Sequence, residues 1–242
     1  MLPVFRKEIN GFFSSPVAYV IMAVFLTAVG LMVWVFPDTS LLDYGYADLG
    51  VFFNLTPYVM LFLIPAITMR SIAEEVRTGT IEWLLTKPLT RWQLVLAKFL
   101  ANWLVVILLL LPTLVYYYAI YELGNPIGNI DSASVFGSYV GLLLLGGVFV
   151  AVGLFASSIN ENQVVAFVVG VFLCFLLYVG ISSVAGLEWW GTLSYPLTWI
   201  ALDQQYQALG RGLIDSRNVV YLVSVVTLFL FLTEWRMTAL TR

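Results

Sequence analysis

The chain has 242 residues, of which 61% are apolar and only 10% charged, and its net charge is −3. A soluble domain is typically about 25% charged, and none of this length has enough interior for so much apolar side chain, so lipid must solvate the outer faces. A chain this close to neutral lacks the basic stripe of a nucleic-acid binder, and the lack of histidine with a single cysteine, Cys174, excludes Ser-His-Asp and Cys-His catalysis and the usual zinc and haem sites.

Residues 1–14 come first in chain order. Leu2, Phe5, Ile9 and Phe12 share one helical face, and Arg6, Lys7 and Asn10 share the other. This predicts a short helix lying in the membrane interface; the plainer reading is a frayed tail carrying a few positive charges.

A span needs about 20 mostly apolar residues to cross roughly 30 Å of hydrocarbon. Six runs qualify: Pro16–Phe36, Val51–Met69, Phe99–Tyr121, Val135–Ser158, Val164–Leu187 and Val219–Thr233. None contains Asp, Glu, Lys or Arg. The expected fold class is therefore all-α, a polytopic membrane protein of six helices forming one domain over residues 1–242. The first run is too long for a signal-peptide core and ends at Trp34-Val35-Phe36-Pro37 without small residues, so it reads as an uncleaved span. Ser15 before Pro16 is a good helix start. Pro65 and Pro112 predict kinks in spans 2 and 3. In span 4, Gly137-x-x-x-Gly141 and Gly147-x-x-x-Ala151 permit close helix approach. Cys174 reads as a small buried apolar residue.

The loop between spans 2 and 3 carries most of the information. A helix continuing span 2 through Glu74, Glu75 and Arg77 should stop near Gly79. A short amphipathic piece, Thr80 to Lys87, ends at Pro88. Thr90-x-x-Gln93 is a capping box that opens the next helix. Apolar Ile81, Trp83, Leu84 and Leu85 among charges point either to the bilayer surface or to a partner protein. Between spans 5 and 6, Trp189, Trp190, Tyr195, Trp199 and Tyr206 suit a segment at the membrane–water boundary.

With the N-terminus in the cytoplasm, nine of the 11 basic residues (Arg6, Lys7, Arg70, Arg77, Lys87, Arg91, Lys98, Arg236 and Arg242) fall inside. Arg211 and Arg217 stay outside. The positive-inside rule thus predicts that both termini are cytoplasmic.

The run Glu74-Glu75-x-Arg77-x-Gly79-Thr80-Ile81-Glu82-Trp83-Leu84-Leu85-Thr86-Lys87-Pro88-Leu89-Thr90-Arg91-Trp92-Gln93 closely resembles the second cytoplasmic region of the ABC-2 type permease family. Leu63–Ser71, Leu123-Gly124-Asn125-Pro126-Ile127-Gly128-Asn129-Ile130-Asp131, and Gly153–Ser158 with Asn162-Gln163 are similar to the gliding-motility-associated ABC transporter permeases (the F subunit) of the Bacteroidetes. The resemblance covers essentially the whole chain. It implies an N-terminal elbow helix (residues 1–15, with Phe5, Arg6, Lys7, Ile9 and Phe12) and a coupling region (residues 71–92). It also implies a re-entrant segment on the outer side (residues 188–216). By the same resemblance, Glu74, Glu75, Arg77, Gly79, Thr80, Glu82, Trp83 and Leu84 would meet a separate ABC ATPase subunit. ATP and Mg would sit on that partner, with no cofactor on this chain. The second membrane subunit would be a homologous half, the larger gliding G-type subunit or a second copy of this chain. The implied location is the bacterial inner membrane.

These residues bear on three functions: an export-class permease driven by a separate ATPase, an ATP-independent carrier or channel, and an intramembrane enzyme. No Gly-x-x-x-x-Gly-Lys-[Ser/Thr] run occurs, so the chain lacks that nucleotide cradle. Charge-free runs disfavour ion coupling. Glu188 and Asp203 read as solvated loop carboxylates rather than as acids of an enzyme.

Overall fold

The computed structural model describes residues 1–42, 46–80, 90–186, 198–212 and 214–240, with side chains to residue 238. Among the described residues every regular element is helical. In chain order they are α1 (Leu2–Phe13), α2 (Pro16–Trp34), α3 (Gly50–Thr68), α4 (Ala73–Arg77) and α5 (Arg91–Leu110). A 3-10 turn, Leu111–Thr113, then leads into α6 (Leu114–Leu123), followed by α7 (Ser132–Ile159). After α8 (Gln163–Phe175), a π turn at Leu176–Gly180 leads into α9 (Ile181–Ala185), and α10 (Leu202–Leu209) and α11 (Ser216–Leu240) complete the order.

Among these residues six helices are long and apolar enough to cross a membrane: Pro16–Trp34, Gly50–Arg77, Arg91–Leu123, Ser132–Ile159, Gln163–Ala185 and Ser216–Thr238. They match the six expected runs, spans 2, 3, 4 and 6 with longer ends and spans 1 and 5 stopping two residues earlier, at Trp34 and Ala185. Charge ended each sequence window, but a helix continues into the polar boundary, where charged side chains reach water. Span 6 therefore runs past Thr233 through Glu234 and Arg236, and span 3 begins at Arg91, eight residues before Phe99.

Local chemistry sets the helix starts. Ser15 Oγ accepts the Val17 N–H at 3.3 Å. Thr90 and Gln93 form the reciprocal capping box foreseen in the sequence. Asp131 Oδ1 accepts the Ala133 and Ser134 N–H groups at 3.1 and 3.2 Å, and Asn162 Oδ1 accepts that of Val164 at 2.9 Å. Each satisfies orphan donors of a first turn.

Span 4 (α7) is the axis of the bundle. In its most apolar window 78% of residues are buried, against 17% in span 6. It packs against α3, α5, α8, α10 and α11. Its glycines make this crowding possible: a Cβ at Gly146 would come within 2.7 Å of Val106 and 2.9 Å of Met60. The Gly137/Gly141 notch receives the short helix α10 rather than another span, with Tyr206 and Leu209 lying against it. Tyr206 is buried there. Its hydroxyl donates to the Phe53 carbonyl at 2.8 Å. That carbonyl is free because Pro57, four residues on, has no N–H to give it. Of the expected re-entrant segment, residues 188–197, including Trp189, Trp190 and Tyr195, lie outside the described residues; Trp199 is exposed.

Candidate functional site

The loop joining spans 2 and 3 leaves the bundle at α4, and the elbow helix α1 lies beside it. Span 2 is not continuous into α4 as the sequence suggested. Helix α3 ends at Thr68, Met69–Ile72 form a turn, and α4 follows. A side chain from span 4 makes the break. Ser157 Oγ accepts the N–H groups of Ile72 and Ala73 at 3.1 and 3.0 Å and donates to the Met69 carbonyl at 2.9 Å. Those two donors would otherwise serve the helical ladder of span 2. The stop at Gly79 is as expected, with φ +67, a left-handed conformation that glycine adopts at little cost.

Helix α4 has two different sides. Ala73 and Glu75 are buried, whereas Glu74 and Arg77 are exposed, as are Thr78, Gly79 and Thr80 after it. Among the residues expected to meet a partner, Glu74, Arg77, Gly79 and Thr80 are thus on the surface together. Glu75 faces inward. Glu82, Trp83 and Leu84 lie outside the described residues, as does the rest of the short amphipathic piece to Lys87.

Glu75 belongs to a four-charge cluster. Its carboxylate receives Lys7 Nζ at 2.7 Å and stands 2.9 Å from Lys98 Nζ. Lys98 also donates to Glu8 at 2.9 Å and to the Ser71 carbonyl at 2.5 Å. Lys98 is fully buried, Glu75 is buried, and Glu8 is partly buried. The set carries two positive and two negative charges, so each buried ion has a counter-ion. A buried charge left alone costs several kcal/mol, and breaking such a pair costs about 3–5 kcal/mol. Burial draws the Lys7 ammonium pKa down, but the hydrogen bond and charge of Glu75, then the charge of Glu8, outweigh it and hold the pKa above its ordinary 10.5. Asn102, one turn after Lys98, completes the network by donating to Ser71 Oγ at 3.1 Å and to the Lys98 carbonyl at 2.8 Å.

The elbow helix packs mainly on α5, the helix that carries Lys98, and less on α2. Val4 is its buried residue, Phe5 and Phe12 pack against the core, Ile9 is half-buried, and Arg6 is exposed. Leu2, on the same expected face, is exposed. Between α1, α2, α3, α4 and α5 lies a cavity of about 410 Å³, with Ala18, Ile67 and Val105 on its apolar walls and Lys7, Arg70 and Glu74 among its polar ones.

Sequence reading missed Glu8, Lys98 and Ser157. Lys98 left one signal, a lysine one turn before Asn102 at the head of an otherwise apolar run. Ser157 stands within the Gly153–Ser158 stretch that carries the resemblance, but nothing in that stretch links it to the loop root.

Residues 40–236 match the family model described as ABC-2 family transporter protein. No curated protein matches the chain.

Proposed function

The chain belongs to the ABC-2 family of transporter proteins, and from that membership we propose that a separate ABC ATPase drives it through the loop between spans 2 and 3. It is a transmembrane permease component of the family. Membership implies an ABC ATPase as partner and the bilayer as surroundings. The observation that carries the coupling reading is the exposed surface at the loop root, formed by Glu74 and Arg77 on a short helix and by Gly79 and Thr80 just after it. Glu75 anchors that helix from within, and the sequence resemblance assigns Glu82, Trp83 and Leu84 to the same partner. In this reading the loop and both termini are cytoplasmic, the membrane is a bacterial inner membrane, and the direction is export.

The same reading gives this chain no catalysis and no cofactor, with ATP and Mg on the partner. A second membrane half, a homologous chain or a second copy, encloses the pathway. The Leu123–Asp131 connection between spans 3 and 4 supports a place in the gliding-motility system, with the larger G-type subunit as the second half.

Purification from the native membrane tests this directly. An ABC ATPase should accompany the parent chain, and Glu74→Lys with Arg77→Glu should release it. Undiminished ATPase recovery with that double variant would sink the coupling surface. Transport by the chain alone in ATP-free liposomes would favour an ion-coupled carrier, a reading that rests on the buried Lys98.

A further inference from the structure

We infer that Lys98 pins α1 and span 3 to the loop root, so that the three move as one body and force from the loop enters the bundle sideways, not along span 2. This rests on the ATPase-driven reading above.

Three observations carry it. First, the direct path runs through a turn. Between α3 and α4 the helical ladder loses the Ile72 and Ala73 donors to Ser157, whose hydroxyl also donates to the Met69 carbonyl, so span 4 holds both the turn and the start of α4. Second, the lateral path is built from buried charge. Lys98 of span 3 holds Glu75 of α4 and Glu8 of α1 at 2.9 Å each, and Lys7 closes the ring onto Glu75 at 2.7 Å. To move α4 away from span 3 or α1 is to strand an ion in low dielectric; to move it relative to span 2 is to bend a turn. Third, α1 has no other polar hold among the described residues: its side-chain bonds to the rest of the protein are those of Lys7 and Glu8. An amphipathic helix bound only to lipid would not bury a glutamate against a lysine of span 3. Lys98 is a positioning residue here, and α1 is a moving part of the drive.

The test uses the purified permease–ATPase complex in phosphatidylethanolamine/phosphatidylglycerol liposomes. Spin labels go on exposed Asn10→Cys, Thr78→Cys and Phe62→Cys in pairs that retain the ATPase, with buried Cys174 left in place. On nucleotide trapping, the Asn10–Thr78 distance should stay constant while Thr78–Phe62 changes. Lys98→Met should let the Asn10–Thr78 distance change and cut the permease's effect on ATP turnover by about tenfold, within the usual range of coupling energies. Lys98→Arg should restore both. Because Lys98→Met leaves Glu8 and Glu75 to share Lys7 alone and risks misfolding, the neutral set Lys7→Gln, Glu8→Gln, Glu75→Gln and Lys98→Met serves as the second variant. It leaves no lone buried charge and should fold yet stay uncoupled. Full coupling in the neutral set, or Asn10–Thr78 moving as much as Thr78–Phe62 in the parent, overturns the inference alone. An unmoving Thr78–Phe62 pair in an ATPase-bound parent does so too. No ATPase with the parent chain removes the proposed function and this inference together.

Discussion

At the scale of single residues, the molecule accepts a fully buried lysine because it brings the counter-charges with it. Lys98 has Glu8, Glu75 and the Ser71 carbonyl within 2.9 Å. Lys98→Met should therefore lower the unfolding free energy by about 3–5 kcal/mol, chiefly by leaving two carboxylates with Lys7 as their one shared counter-ion. Thermal denaturation in mild detergent reads this, and the all-neutral set should recover most of the loss. If the neutral set is as unstable as the single variant, stranded charge is not the cause. The cluster also sets a pH response. The Lys7 pKa in the folded chain lies above its unfolded value of 10.5. Its contribution is therefore fully present below that pH and is lost as pH rises through the folded value. Thermal stability should be insensitive to this pair through neutral pH and fall on the alkaline side of 10.5. Lys7→Met should flatten that alkaline loss; an equal loss in the variant would show that Lys7 is not the group responsible.

Among the elements, α10 shows how a short helix is held inside a bundle by backbone geometry. Gly137 and Gly141 clear its path, and Pro57 frees the carbonyl that Tyr206 needs. Removing the hydroxyl alone leaves that buried carbonyl unpaired, so Tyr206→Phe should cost about 1–3 kcal/mol. Gly137→Ala should cost about as much, since its Cβ would strike the Leu209 carbonyl and backbone cannot swing aside as a side chain does. Unfolding midpoints of both variants check the pair, and a neutral result for Gly137→Ala would mean that α10 sits less closely than described. The Gly-x-x-x-Gly spacing was legible in the sequence as a place of close approach. Its occupant was not, because α10 reaches it from 65 residues or more along the chain and no local pattern carries that distance.

For the molecule as a whole, the arrangement is one central span with four others packed on it and span 1 set against span 2 at the side, and with α1 and α10 filling gaps at its margins. Orientation belongs to this scale and follows from charge on the loops. With the proposed topology, a membrane-impermeant thiol reagent should modify exposed Ile127→Cys from outside intact cells and exposed Asn10→Cys only in inside-out vesicles. The opposite pattern would reverse the topology and remove the loop root from the cytoplasm.

The sequence by itself determined that this is a helical membrane protein with six spans. Apolar run length is a one-dimensional quantity, and a bilayer allows a helix that crosses it no unpaired backbone. It also determined the helix starts at Ser15 and Thr90 and the stop at Gly79, since caps are made by residues within one turn. It marked the loop after span 2 as the informative segment. Only the tertiary structure decided that Glu75 turns inward while Glu74 and Arg77 turn out, that Ser157 breaks span 2 from the loop root, and that Lys7, Glu8, Glu75 and Lys98 meet. Those four charges are spread over 90 residues of chain. Their pairing follows from how α1, α4 and span 3 pack, and a charge reveals its partner only once the packing has taken the water away.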